Sequence, residues 1–93
     1  SNMKDSISVK ISTPFKNEFK GKAYYIELPT ISGIIGIMPN HIPTISALKN
    51  GVIKIKTAEQ TFDFEITGGF VRFYNNTCSV SIKDAKSIQK TAV

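Results

Sequence analysis

Apolar residues recur at every second position in short runs along this chain, and turn-forming residues cut those runs every several positions. Ser6 to Ser12 shows the rhythm most cleanly, with Ile7, Val9 and Ile11 on one side and Ser6, Ser8, Lys10 and Ser12 on the other. A period of two belongs to a strand with one buried and one wet face, because successive side chains of an extended backbone point to opposite sides. Thr13-Pro14 then interrupts pairing, since proline has no amide donor. Phe15 to Phe19 resumes as an extended piece ending at Lys20-Gly21, and Lys22 to Leu28 reads as a second long strand.

Pro29 to Gly33 reads as a polar turn. Ile35 and Ile37 flank Gly36 in a short buried strand stopped by Pro39-Asn40, and a glycine inside such a strand implies close backbone approach or a bulge. Ile42 to Leu48 carries Pro43 and reads as an irregular edge strand or single turn before Lys49-Asn50-Gly51. Val52–Lys56, Thr61–Thr67, Phe70–Tyr74 and Thr77–Ile82 form a meander turning at Ala58-Glu59, Gly68-Gly69 and Asn75-Asn76. The last suits a tight hairpin, because asparagine tolerates positive φ. Asp84 to Val93 is too short and mixed for a stable helix and reads as a final strand with a frayed tail.

This pattern, in a chain rich in Ile, Val and Phe, predicts an all-β fold: a flattened, two-sheet antiparallel β-sandwich. A length of 93 residues suits one domain. Residues 1–2 read as an expression-tag remnant, 3–86 as the sandwich and 87–93 as a short C-terminal tail. No apolar run approaches the ~20 residues a helix needs to cross a bilayer, so no direct membrane insertion is expected.

Chemistry is poorly supported. The single histidine, His41, follows Pro39-Asn40 without a second histidine or a nearby acid, so it predicts neither a metal site nor a general base but a turn cap or partner contact. No cofactor, metal or catalytic residue is expected. The single cysteine, Cys78, alternates with Val80 and Ile82 and reads as a small buried hydrophobe. Asp63 and Glu65 read as solvated charges on the wet face of one strand. The glycine pairs 33/36 and 68/69 precede no helix that could hold a phosphate, so Gly36, Pro39, Gly68 and Gly69 read as structural corners.

The net charge of +5 comes from lysines dispersed along the sequence, as solvated strand faces require, with some room for an acidic partner surface or anionic lipid. A small basic barrel that stacks nucleic-acid bases on Phe70, Phe73 and Tyr74 is the alternative function. The alternation of these residues between core and surface argues against it, and no nucleic acid is expected.

The run Gly33-Ile34-Ile35-Gly36-Ile37-Met38-Pro39-Asn40-His41-Ile42-Pro43 resembles the G-x-h-G-h-h-P-x-H-x-P segment of the epsilon subunits of F-type ATP synthases, called delta in mitochondria. Leu48 to Ile55 is similar to that family's L-x-x-G-h-h-x-h turn and strand, Thr67 to Val71 to its GGF corner, and Asn76 to Ala85 to its last strand. The resemblance covers roughly Ile7 to Ala85. It implies a flattened sandwich of roughly ten strands that attaches to the gamma subunit and rests on the c-ring: a non-catalytic central-stalk rotor subunit of a proton- or sodium-translocating synthase. The resemblance also implies a peripheral location at the cytoplasmic face of the bacterial cell membrane.

Carried over by position, Ser32, Gly33 and Ile34 would meet the c-ring, while His41, Ile42, Pro43 and Ser46 would lie toward gamma. Two departures are visible. Ile34 stands where members often carry an acid, and this chain is basic where many are acidic. The C-terminal helical hairpin of bacterial relatives is expected to be absent, since the chain stops at Val93, so neither helical inhibition nor ATP binding is assigned to it.

Overall fold

The computed structural model describes the backbone of residues 5–92 and the side chains of residues 5–86. The described residues form ten strands in chain order: β1 (Ile7–Ser12), β2 (Asn17–Ala23), β3 (Tyr25–Thr30), β4 (Gly33–Ile37), β5 (Thr44–Leu48), β6 (Gly51–Lys56), β7 (Gln60–Ile66), β8 (Gly69–Tyr74), β9 (Thr77–Ile82) and β10 (Ala85–Ala92). Hydrogen bonds join them as β10-β7-β6-β3-β5-β8-β9-β1-β2, with β4 on the other side of β3. The link between β3 and β5 is a single register pair, Thr30 with Leu48. The sheet therefore divides there into two halves, β4-β3-β6-β7-β10 and β5-β8-β9-β1-β2, which is the predicted sandwich.

The periodicity explains the packing. Ile7, Val9 and Ile11 of β1 and Val71 and Phe73 of β8 form one core with Ile26, Ile53 and Ile55 from the other half, all of them buried. Away from the Thr30–Leu48 corner, Phe19 of β2 meets Phe62 and Phe64 of β7 edge-on, at centroid distances of 5.0 and 6.2 Å. Such aromatic pairs add ~0.5–1.5 kcal/mol to burial alone, and these tie the two halves together.

Three expectations are corrected. The sheet is not wholly antiparallel, because β1 runs parallel to β9. The break between the second and third strands falls at Tyr24 rather than at Gly21. In β1 and β2 the inward residues are odd-numbered, and in β3 Ile26 and Leu28 are even-numbered, because the chain passes from one half of the sandwich to the other at Tyr24. β5 is the expected edge strand of its half, but a regular one: despite Pro43 just before it, it pairs with β8 over five positions and meets β3 only at the corner. Finally, the stretch read as a final strand with a frayed tail is strand from Ala85 through Ala92, paired antiparallel with β7, so the boundary drawn after residue 86 falls inside β10.

Asp63 also departs from expectation. It is 7% exposed, and its Oδ2 accepts from Lys54 Nζ at 3.2 Å on the neighbouring strand. Glu65 is the exposed member of the pair.

Candidate functional site

The tip of the β3–β4 hairpin is built for rigidity. Thr30 Oγ1 donates to the Gly33 carbonyl at 2.6 Å and accepts from the Ser32 amide at 3.2 Å. Gly33 sits at φ +126°, where a side chain would be strained. Ser32 and Gly33 thus share the tip, and Ile34 opens β4 beside it. Ile31 and Ile34 are 66% and 70% exposed, so the hairpin offers an apolar end.

Gly36 lies within β4 opposite Glu27, not in a turn. A Cβ there would come within 2.6 Å of Tyr25 Oη, which lies over the glycine and donates to Glu27 Oε1 at 3.0 Å. Burial, with Glu27 alongside, raises the Tyr25 pKa above its ordinary value.

The segment from Met38 to Pro43 is pinned to the far end of the β8–β9 hairpin. Pro39 and Asn40 form a turn closed by the His41 amide donating to the Met38 carbonyl at 3.1 Å, with Asn40 at φ 73°. The Asn40 amide donates to Asn76 Oδ1 at 2.6 Å, and Asn76 Nδ2 donates to Asn40 Oδ1 at 3.1 Å. The half-buried His41 ring meets Phe73 edge-on at 5.8 Å, with Nδ1 2.8 Å from the Ile42 carbonyl and 3.4 Å from Thr44 Oγ1. The ring nitrogen therefore meets a carbonyl and a hydroxyl, with no carboxylate among the described residues to orient it as a base. His41 serves here as an anchor.

Ile42 and Pro43, both exposed, lead into β5. Ser46 is half-buried, opposite buried Val71 and on the same face as Thr44 and Leu48, with its hydroxyl donating to the Ala47 carbonyl at 3.0 Å. The outward face of β5 belongs instead to Ile45 and Ala47. On β8 it belongs to Phe70, Arg72 and Tyr74. Ile45, Phe70 and Tyr74 are 77%, 63% and 62% exposed, and a shallow depression of about 310 Å³ joins Pro43 and Ile45 to Arg72 and Tyr74.

The predicted partner residues thus divide into a hairpin tip (Ser32, Gly33, Ile34) and a loop (His41, Ile42, Pro43). The surface that continues the loop was missed. Its signal was present in the alternation Phe70-Val71-Arg72-Phe73-Tyr74, where large apolar residues occupy both faces of one strand.

Gly68 and Gly69 take φ of +76° and +144°, and a Cβ on Gly69 would collide with the Ser81 carbonyl oxygen. Cys78 is fully buried, and burial pushes its thiol up to about 12. Phe73 lies in the core, so the three rings proposed for stacking bases do not share a surface.

Residues 6–88 match the family described as ATP synthase, Delta/Epsilon chain, beta-sandwich domain. An ATP synthase epsilon chain from Lactiplantibacillus plantarum is 36% identical over 84 residues, covering 87% of this chain and 59% of the relative. The chloroplastic epsilon chain of Spinacia oleracea is 32% identical over 81 residues, covering 87% and 60%. This chain therefore spans about 60% of the length of these curated relatives.

Among solved structures, a chain of the Euglena gracilis mitochondrial ATP synthase assembly of OSCP, F1 and c-ring superposes with a TM-score of 0.88 at 17% identity, covering 94% of this chain and 56% of that one. A chain of the Tetrahymena thermophila mitochondrial ATP synthase central stalk and c-ring gives 0.76 at 22% identity, covering 92% and 69%. At these identities the likeness is one of fold.

Proposed function

This chain belongs to the ATP synthase delta/epsilon beta-sandwich family, and we propose from that premise that it is a non-catalytic central-stalk subunit of a rotary, ion-translocating ATP synthase. In that role it joins gamma to the c-ring and couples ion flow to ATP synthesis on other subunits. The observation that carries the reading is the family match over residues 6–88, which takes in nine complete strands and the start of the tenth.

The geometry supports the role in two ways. The two halves of the sandwich share one core and are tied at opposite sides, as a part that transmits torque requires. Six of the nine large exposed apolar residues among those described also sit at two separate places, the hairpin tip at Ile31 and Ile34 and the surface formed by Ile42, Ile45, Phe70 and Tyr74, which suits a body holding two partners. We assign Ser32, Gly33 and Ile34 to the c-ring, and Ile42 and Pro43, oriented by His41, to gamma. Ser46 supports the strand behind that contact. The role implies a peripheral position at the cytoplasmic face of a bacterial cell membrane, and no helix of the described residues is long and apolar enough to cross one.

Cys78 makes the assignment testable. Its burial leaves a cysteine introduced by Ile34→Cys or Ile42→Cys as the exposed thiol. In the assembled synthase, Ile34→Cys should cross-link to the c-ring and Ile42→Cys to gamma. The reverse pattern, or no cross-link from either, would refute the assignment.

A further inference from the structure

The loops of the sandwich gather at two ends, and the ends differ in charge. Leu48, Gly69 and Ile82 are register partners across β5, β8 and β9, and Ser81 pairs with Ser12 of β1. Just beyond this row the chain leaves the sheet at Lys49, at Lys83 and in the turn over residues 13–16, and the Thr30–Leu48 corner brings the β3–β4 hairpin to the same end. The loop residues there carry Lys16, Lys49 and Lys83 against one acid, Asp84. At the opposite end the described loop residues carry Asp5 and Glu59 and no lysine.

The basic end also holds the most exposed large apolar side chain among the described residues. Phe15 is 92% exposed, yet the turn beneath it is fixed. The Thr13 amide donates to the Lys16 carbonyl at 2.9 Å, and Thr13 Oγ1 accepts from the amides of Phe15 and Lys16 at 3.2 and 3.3 Å. Phe15 adds nothing to the core, so this turn serves to present it. Lys16, 3.8 Å from Glu18, leaves its side chain 71% exposed, and Lys49 and Lys83 make no ion pair among the described residues.

Across the end, the Ile31 amide donates to the Ala47 carbonyl and seats the hairpin tip beside β5. The path β5-β8-β9-β1 crosses three strand spacings of ~4.8 Å, which places Phe15 ~14 Å from that tip, with Lys83 at the end of β9 between them. A protein interface gathers its apolar residues into a contiguous centre from which lysine is depleted. Separate apolar tips among lysines suit a lipid headgroup layer instead, where a ring reaches the acyl boundary while ammonium groups meet phosphates.

We infer that this end docks on the surface of an anionic bilayer, with Phe15 entering the headgroup layer and Lys16, Lys49 and Lys83 meeting lipid phosphates. The contact is interfacial and spans nothing. It goes beyond the central-stalk reading and agrees with it in direction, since the hairpin tip assigned to the c-ring stands at the same end.

The test measures sedimentation of the full chain with mixed phosphatidylglycerol and phosphatidylcholine vesicles, and with phosphatidylcholine alone, in about 0.1 M salt. Wild type should bind the mixed vesicles and not the neutral ones. Phe15→Ser should weaken that binding about tenfold, and Lys49→Ser/Lys83→Ser about twenty-five-fold. Met38→Ser, which removes an exposed apolar residue at the opposite end, should change nothing. Because Cys78 is buried, an environment-sensitive fluorophore can be placed on Phe15→Cys alone. Its emission should shift to the blue on mixed vesicles, and the same label on Met38→Cys should not respond. A folded wild type that ignores the mixed vesicles, or equal binding by wild type, Phe15→Ser and the lysine double variant, would overturn the inference and leave the central-stalk reading, tested by cross-linking, standing. Vesicle binding unaltered in Phe15→Ser, with that variant excluded from the assembled synthase, would give Phe15 to a protein contact and overturn the proposal as well.

Discussion

Gly69 and Gly36 are glycines for different reasons, and substitution separates them. At Gly69 both the backbone, at φ +144°, and the Ser81 carbonyl exclude a side chain. Gly69→Ala should cost about 2–4 kcal/mol in urea unfolding, since neither the conformation nor a paired strand can yield cheaply. At Gly36 the obstacle is the ring end of Tyr25, which can swing aside at the loss of its hydrogen bond to Glu27 and its contact with Lys56. Gly36→Ala should therefore cost only about 1 kcal/mol.

Cys78 gives a pH signature. Its thiol has a pKa of about 12 in the folded chain against an ordinary 9.0, so between these values the unfolded chain sheds a proton that the folded chain keeps. Stability falls as pH rises through that window. The decline should be shallower in Cys78→Ala, and equal slopes in the two proteins would refute the assignment. The burial of Cys78 was legible from its place in an alternating run. The partners of Asp63 and Gly36 were not, because cross-strand neighbours depend on register, which local pattern does not supply.

At the scale of elements, the most consequential contact joins residues 36 positions apart. Asn40 and Asn76 both adopt positive φ and exchange two hydrogen bonds, fastening the loop before β5 to the β8–β9 turn. Asn76→Gly keeps the backbone conformation accessible while removing the clamp. It should cost about 1 kcal/mol, with an Asn40→Gly/Asn76→Gly double-mutant cycle showing coupling of at least ~0.5 kcal/mol. Additive costs would show that the loop is held by His41 and Phe73 alone.

β10 carries a second prediction. Of its seven register pairs with β7, five lie beyond residue 86. Ending the chain at Lys86 should sharply lower the melting temperature and promote self-association through the bared β7 edge, as sedimentation would detect. The individual strands could be read from period-two alternation, and the turn at Asn75-Asn76 from its residue types. The crossing at Tyr24 was legible too, as a change of parity between Ala23 and Ile26, but only to a reading that followed phase as well as period. The edge position of β5 was legible from Pro43, which stands just outside the paired residues.

At the scale of the whole molecule, the sandwich presents surfaces of different character. One outer face has mixed charge, the other runs from apolar at β5 to lysine-rich at β1 and β2, and the β3–β4 hairpin projects Ile31 and Ile34. The exposed loop residues Ile42 and Pro43 were singled out through family resemblance. The β8 residues beside them were not, since β5 and β8 become neighbours only in the folded sheet, and the lysines of β1 and β2 look dispersed until the parallel β1–β9 ladder brings them beside Arg72. If gamma holds this sandwich as a rotor part, co-purification of the 93-residue chain with the gamma subunit of its own genome at low salt should yield a stable one-to-one complex. A folded chain that elutes alone would rule that role out.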